Sequence, residues 1–256
     1  LVNQARESLW EEINQVLKQR NLPPLRKFRL KHISTNLNIY VHPKCLMEKY
    51  LKLCPLGDEW LGLDYSLREY DKNFELSTSF KSSNRKLIYL SMGSLGSSIV
   101  ELMSRLVKIL SKCKHKVIVS RGTLNNMYEL ADNMWEQKFL PQLSILPIVD
   151  MVITHGCNQT LVESLYFGKP LIVLPFFGDQ FDNAQRVVEA KIGVKFNPFT
   201  VDEKELLDSI EYMLSDAEIV KRVKCISNEM RKSKSMDYVV QKIEKIAENP
   251  KIPTVK

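Results

Sequence analysis

Glycine and proline are scarce, 9 and 11 of 256 residues, and there is no internal repeat or low-complexity tract, which excludes fibrous and disordered chains. No pair of cysteines has C-x-x-C spacing. The five cysteines, Cys45, Cys54, Cys113, Cys157 and Cys225, are odd in number and far apart in a chain too long to need staples. A disulfide scaffold is thereby excluded, and a reducing, cytoplasmic setting is the expectation. Long apolar runs are absent too. The strongest, Leu171 to Phe177, falls far short of the ~20 residues a helix needs to cross a bilayer, so no membrane span is expected. The first residue is not Met, and Leu1 opens directly on an amphipathic pattern instead of a signal sequence, so the chain is read as a piece missing an amino-terminal part. Charge of one sign is only mildly in excess. The 37 Lys and Arg against 30 Asp and Glu give +7, a weak general preference for polyanions. What remains, 44% hydrophobic, 26% charged and 9% aromatic residues, is ordinary globular usage for one large or two modest domains.

Residues Leu1 to Leu17 carry apolar groups at Leu1, Ala5, Leu9, Ile13, Val16 and Leu17, a helical stripe that Pro23 and Pro24 terminate. Leu37 to Val41 is β-rich, and Pro55 to Asp64 holds turn residues around Trp60 and Leu61. From Tyr65 to Asn84 the chain turns polar, which is linker composition. Strand and helix signals then alternate. Strands are expected at Leu87 to Met92, Lys116 to Ser120, near Trp135 to Leu140, and at Met151 to Thr154, Leu171 to Leu174 and Val194 to Phe196. Helices are expected across Ile99 to Leu110, Gln159 to Phe167 and Phe181 to Ala190. This order predicts an α/β fold with a parallel sheet covered on both faces. Thr200 to Glu203 reads as a capping box opening a helix to about Leu214, and helices near Ala217 to Lys232 and Met236 to Ala247 close the chain.

In open α/β sheets ligands lie beyond the carboxyl ends of the strands, so the residues just after each strand carry the functional information. Gly93-Ser-Leu-Gly96-Ser-Ser98 follows the first strand of the alternation and opens a helix, where free N–H groups hold phosphate. A tight turn capped by Ser97 or Ser98 explains the same letters. After Thr154 come His155, Gly156, Cys157, Asn158, Gln159 and Thr160, then Glu163 one turn on, which gathers an imidazole, a hydroxyl and a carboxylate near a second helix start. A strand-end histidine and a solvated helix carboxylate are the competing explanations. Asp179 and Gln180 place a carboxylate beside an amide, the mixture that vicinal sugar hydroxyls require, though Asp179 also suits a helix N-cap. Phe139-Leu-Pro-Gln142 offers an aromatic face and an amide suited to a base, or a core Phe before a loop proline. Basic clusters at Arg26 to Lys31 and Lys221 to Lys224 have no interleaved aromatics, so they read as solvated faces and no nucleic-acid partner is expected.

The ordered combination of Gly93-Ser94, Phe139 to Gln142, His155-Gly156 to Thr160, Glu163, Phe167-Gly-Lys-Pro170, Asp179-Gln180 and Asp182-Asn-Ala184 resembles the donor-binding signature of family-1 UDP-glycosyltransferases. Leu87 to Gly96 also looks like the first strand and loop of that family's carboxyl-terminal domain. The resemblance implies a GT-B-type fold: a Rossmann-like, donor-binding domain over 85–235, an incomplete end of a second Rossmann-like domain over 1–64, a linker over 65–84, and a carboxyl-terminal helix and tail over 236–256. It implies that Phe139 stacks on uracil, that Gln142 lies against the base or its ribose, and that Glu163 binds ribose. Ser94, His155, Gly156, Gln159 and Thr160 are implied at the diphosphate, and Asp179 and Gln180 at the hexose. The implied partners are a UDP-sugar, as donor substrate, and a small lipophilic hydroxylated acceptor, with no cofactor and no metal. The implied reaction is an inverting transfer whose base is a histidine of the family's amino-terminal region; none of His32, His42 and His115 matches its position. Two departures stand out, Cys157 where the family usually shows glycine and Gln159 where it has asparagine. A Cβ at 157 would obstruct a tight phosphate loop if its φ were positive. Cys157 itself, without an evident base partner, reads as a buried inert thiol.

Overall fold

The computed structural model describes residues 2–27, 29–68, 76, 80, 85–122, 127–137 and 140–249. Phe139 and most of the expected linker lie outside them. The chain divides into two compact units: one of 1–40, 56–61 and 239–256, the other of 41–55 and 62–238.

The larger unit is built on a parallel six-stranded sheet. Its strands are β3 (Leu87–Ser91), β4 (Lys116–Ser120), β5 (Met134–Gln137), β6 (Met151–Thr154), β7 (Leu171–Val173) and β8 (Gly193–Lys195), in the spatial order β5-β4-β3-β6-β7-β8. The chain therefore winds outward from β3 in one direction and from β6 in the other, leaving a switch point between these two strands. The four inner strands β4, β3, β6 and β7 are short apolar runs because both faces of the sheet are covered there. Alternation sends Ile88, Leu90, Val117, Val119, Met151 and Ile153 into one cluster and Tyr89, Ile118, Val152, Leu171 and Val173 into another.

The first cluster is closed by α4 (Val100–Leu110) through Leu102, Met103 and Leu106, and by α8 (Glu203–Ser215) through Leu206, Ile210 and Met213. The second is closed by α5 (Gln142–Ile145), α6 (Asn158–Tyr166), α7 (Asp179–Glu189) and α9 (Ala217–Lys232), whose Leu161, Leu165, Val187 and Val223 are fully buried. The α/β expectation is borne out. Its details shift: the Thr200 to Glu203 capping box is replaced by a single Asp202 cap, whose carboxylate accepts the Glu205 N–H at 3.1 Å. Asp216 caps α9 in the same way. A helix not expected from the sequence, α2 (Lys44–Leu53), starts directly after Pro43.

In the smaller unit, α1 (Val2–Gln19) is held to the segment after the two prolines by side-chain bonds. Trp10 Nε1 donates to the Arg26 carbonyl at 2.9 Å, and Asn14 Oδ1 accepts the Leu25 N–H at 2.7 Å. Strands β1 (Asn38–Val41) and β2 (Trp60–Leu63) pair as a two-stranded sheet, and α10 (Ser235–Glu248) follows α9. All five cysteines are free. Among the described residues no helix is long and apolar enough to cross a membrane.

Candidate functional site

The carboxyl ends of β3 and β6 border the switch point, and their following loops touch. Gly93 has φ +68°, and a Cβ on it would lie 2.6 Å from Cε1 and Nε2 of His155. The imidazole thus lies directly over the glycine, and any side chain at 93 would displace it. Ser97 and Ser98 do not open the following helix; Ser97 stands at the C-cap of the turn, and the two hydroxyls donate back to the Gly93 and Ser94 carbonyls at 2.6 and 2.8 Å. They close the one-turn α3 (Gly93–Gly96), while α4 begins only at Val100. Ser94 is exposed on this turn.

After β6, the Thr154 hydroxyl sits 3.3 Å from His155 Nδ1 and accepts the Gly156 N–H at 3.3 Å. His155 is only 8% exposed. Gly156, at φ +83°, makes the left-handed turn, and a Cβ there would meet Val173 at 2.5 Å. Cys157 follows at φ −62°, so the expected obstruction at this position has no backbone cause. Its thiol is half-buried and meets both flanking residues. Burial pushes it up, but hydrogen bonds with His155 and Thr160 outweigh burial and bring it down to about 7. Thr160 Oγ1 lies 3.4 Å from its sulfur. Cys157 ends the loop, and α6 starts with no side-chain cap and no acidic residue in its first turn. Its first N–H groups therefore lack both the usual acceptor and the usual compensating charge.

Glu163, one turn further, is completely buried, which removes the alternative of a solvated helix carboxylate. Gln159 Nε2 donates to its Oε1 at 2.6 Å and Gln142 Nε2 to its Oε2. The Gln142 carbonyl in turn accepts the Tyr89 hydroxyl at 3.4 Å, and its Nε2 lies 3.4 Å from the Thr160 hydroxyl. Gln159, although exposed, also reaches the Ser66 carbonyl at 3.0 Å.

After β7, α7 starts two residues earlier than expected, with Gly178 at its N-cap position, so Asp179 and Gln180 belong to its first turn. Asp179 is exposed and accepts from Asn183 Nδ2 at 3.2 Å. Gln180 is buried, and its carbonyl oxygen accepts the backbone N–H groups of Phe176 and Phe177 at 2.7 and 3.2 Å. Asn183 Nδ2 also donates to the Gly156 carbonyl at 3.0 Å, tying α7 to the β6 loop.

The profile of the UDP-glucoronosyl and UDP-glucosyl transferase family matches residues 66–246. The chain belongs to this family. The NDP-glycosyltransferase YjiC of Bacillus subtilis is 25% identical over 245 residues, 94% of this chain and 61% of that protein. The glycotransferase of kitacinnamycin superposes with a TM-score of 0.76 at 18% identity, over 93% of this chain and 65% of its own. The spinosyn rhamnosyltransferase SpnG complexed with thymidine diphosphate superposes at 0.68 with 18% identity, over 91% and 61%. Their GT-B fold is the fold of this chain. The chain spans about half the length of the curated relatives it matches.

Within this UDP-glucosyl and glucuronosyl transferase fold, the structure brings Gly93, His155, Gly156 and Thr160 to the switch point. Gln142, Gln159 and Glu163 form one bonded set beside them, and Asp179 and Gln180 stand on the next loop. Phe139 lies outside the described residues. Three residues of this frame carried no assigned role in the sequence: Thr154, Tyr89 and Asn183. Only Asn183 left a signal, its four-residue spacing from Asp179, which puts both on one face of a helix.

Proposed function

We propose that this chain supplies the donor site of a glycosyltransferase that moves a hexose from a UDP-sugar to a small lipophilic hydroxylated acceptor, with inversion and without a metal. The observation that carries the reading is the bare, acid-free start of α6 meeting Gly93 and His155 at the switch point. Helix N–H groups and an imidazole there favour a diphosphate, each helix end contributing roughly 0.3–1 kcal/mol and more once water is excluded. A nucleoside diphosphate bound to a protein of the same fold supports it.

In this reading Ser94, His155, Gly156, Gln159 and Thr160 hold the diphosphate, Gln142 and Glu163 the nucleoside, with Phe139 stacked on the base, and Asp179 and Gln180 the hexose. A base, expected outside this chain, removes the acceptor's proton, and the acceptor oxygen forms a bond to the anomeric carbon as the bond to the leaving phosphate oxygen breaks. Negative charge then grows on UDP, where His155 and the α6 N–H groups stabilise it without rearranging. The UDP-sugar is consumed as substrate, and no cofactor or nucleic acid takes part.

Calorimetric titration with UDP tests the donor half. Wild type is expected to bind, and His155→Ala to bind about tenfold more weakly, the worth of one charged hydrogen bond. No binding, or no difference between the two, overturns the reading. A second reading, a nucleotide-sugar binder without turnover, is favoured by the two amide donors that already engage both oxygens of Glu163 in the free chain. Release of UDP from a UDP-hexose and an acceptor by the full-length protein rejects it.

A further inference from the structure

At the carboxyl ends of β7 and β8 lies a cavity of about 360 Å³ lined by Pro175, Phe176, Phe181, Phe196, Phe199 and Lys195. None of these side chains is assigned to the donor site proposed above; only the Phe176 backbone N–H touches it, through Gln180. Its volume and its lining, aromatic walls with one cation, are those of small-molecule sites. Phe176 and Phe196 form its base, packed against the core cluster that contains Ile172 and Leu174. Phe181 and Phe199 also line it and are 53% and 55% exposed, so two large apolar side chains of one cavity face solvent. The Phe199 ring meets Phe176 edge-on, with centroids 5.9 Å apart at 60°, which leaves phenyl surface facing the cavity.

The one cation of the lining is not neutralised. Lys195 Nζ donates to the neutral Gln185 carbonyl oxygen at 2.7 Å, and no carboxylate among the described residues pairs with it. An ammonium has three hydrogens, so at least one more acceptor fits, and a charged one fits best. We infer that this cavity is a binding site for a small aromatic carboxylate, its ring between Phe181 and Phe199 and its carboxylate on Lys195. Rings of this kind prefer offset and edge-to-face arrangements, the second of which Phe176 and Phe199 already adopt. The site goes beyond the UDP reading and does not depend on it.

Titration of the chain with 1-naphthoate, and with the uncharged 1-naphthol as control, tests the inference. Naphthoate is expected to bind, and Phe181→Ala and Phe199→Ala each to weaken both probes about fivefold, the scale of one aromatic contact. Lys195→Gln is expected to weaken naphthoate about threefold and leave naphthol unchanged, since a partly exposed ion pair contributes modestly. Phe199→Leu, which keeps apolar volume but removes the ring, gives the same reading should an alanine variant be unstable. UDP affinity is expected to be equal in all these variants, so a failure here is separable from a failure of the donor site. Absence of naphthoate binding overturns the proposal. So does binding unmoved by the Phe181 and Phe199 variants, or a Lys195→Gln variant that weakens both probes equally or neither.

Discussion

Glu163 and Asp179 are acidic side chains on helices that start at the carboxyl edge of the same sheet, and both fall in the donor signature, yet their surroundings are opposite. Glu163 has no exposed surface and receives amide hydrogens from Gln142 and Gln159. Asp179 is exposed and has one amide partner, Asn183. A buried carboxyl whose two oxygens each hold an amide is fixed in place by the frame and offers a ligand only its remaining lone pairs; an exposed one with a single amide partner is open to a ligand from solvent. The candidate site is thus rigid and prewired on its α6 side and open on its α7 side.

The largest effect is expected from Glu163→Ala. It removes the acceptor of the Gln142 and Gln159 amides and leaves a cavity at a fully buried position, and is expected to cost about 3 kcal/mol in urea unfolding. A cost under about 1 kcal/mol would mean that Glu163 is no more structural than Asp179.

A smaller effect comes from His42, which lies on the open side. Burial, helped by the Arg186 guanidinium and opposed by Asp179, lowers it from 6.5 to about 4. Between these values the unfolded chain binds more protons than the folded one, so stability is complete above pH 6.5 and falls as pH drops toward 4. The loss is expected to reach about 2 kcal/mol, and His42→Gln should flatten the acid limb of stability measured from pH 7 to 4. An unchanged acid limb in that variant would place the sensitivity elsewhere.

The smallest effect is expected at Asp179 itself. Asp179→Ala should stay within about 0.5 kcal/mol of wild type in the same unfolding measurement, as exposed substitutions do. A larger cost would show that the open carboxylate carries structural load after all.

Much of the frame was legible because buried parallel strands are short apolar runs with marked ends: Leu87–Ser91, Met151–Thr154 and Leu171–Val173 lie within a residue of expectation. The positions of His155 and Gly93 followed from the same rule, since the loop after a strand must face the crevice. The state of each side chain was not legible, because burial is set by distant partners. Nothing near Glu163 in sequence announces that Gln142, 21 residues away, fills its second oxygen. Cys157 is a similar case: its thiol is lowered by residues on both flanks, but only a loop that folds His155 and Thr160 toward it makes that so. The helix Lys44–Leu53 was missed because Pro43 reads as a breaker when it in fact sits at the helix entry, where a missing N–H costs nothing. The start of α7 was placed late because the left-handed Gly178 that turns the chain into it, φ +63°, has no letter-level mark beyond glycine itself.

The Asn183 amide has a mechanical consequence. One NH₂ group clasps both the Gly156 carbonyl and the Asp179 carboxylate, so the turn after β6 and the opening of α7 are yoked by a single side chain with no exposed surface. Neither segment can drift away from the other without breaking a water-excluded bond, and loops that leave two different strands are registered as one piece.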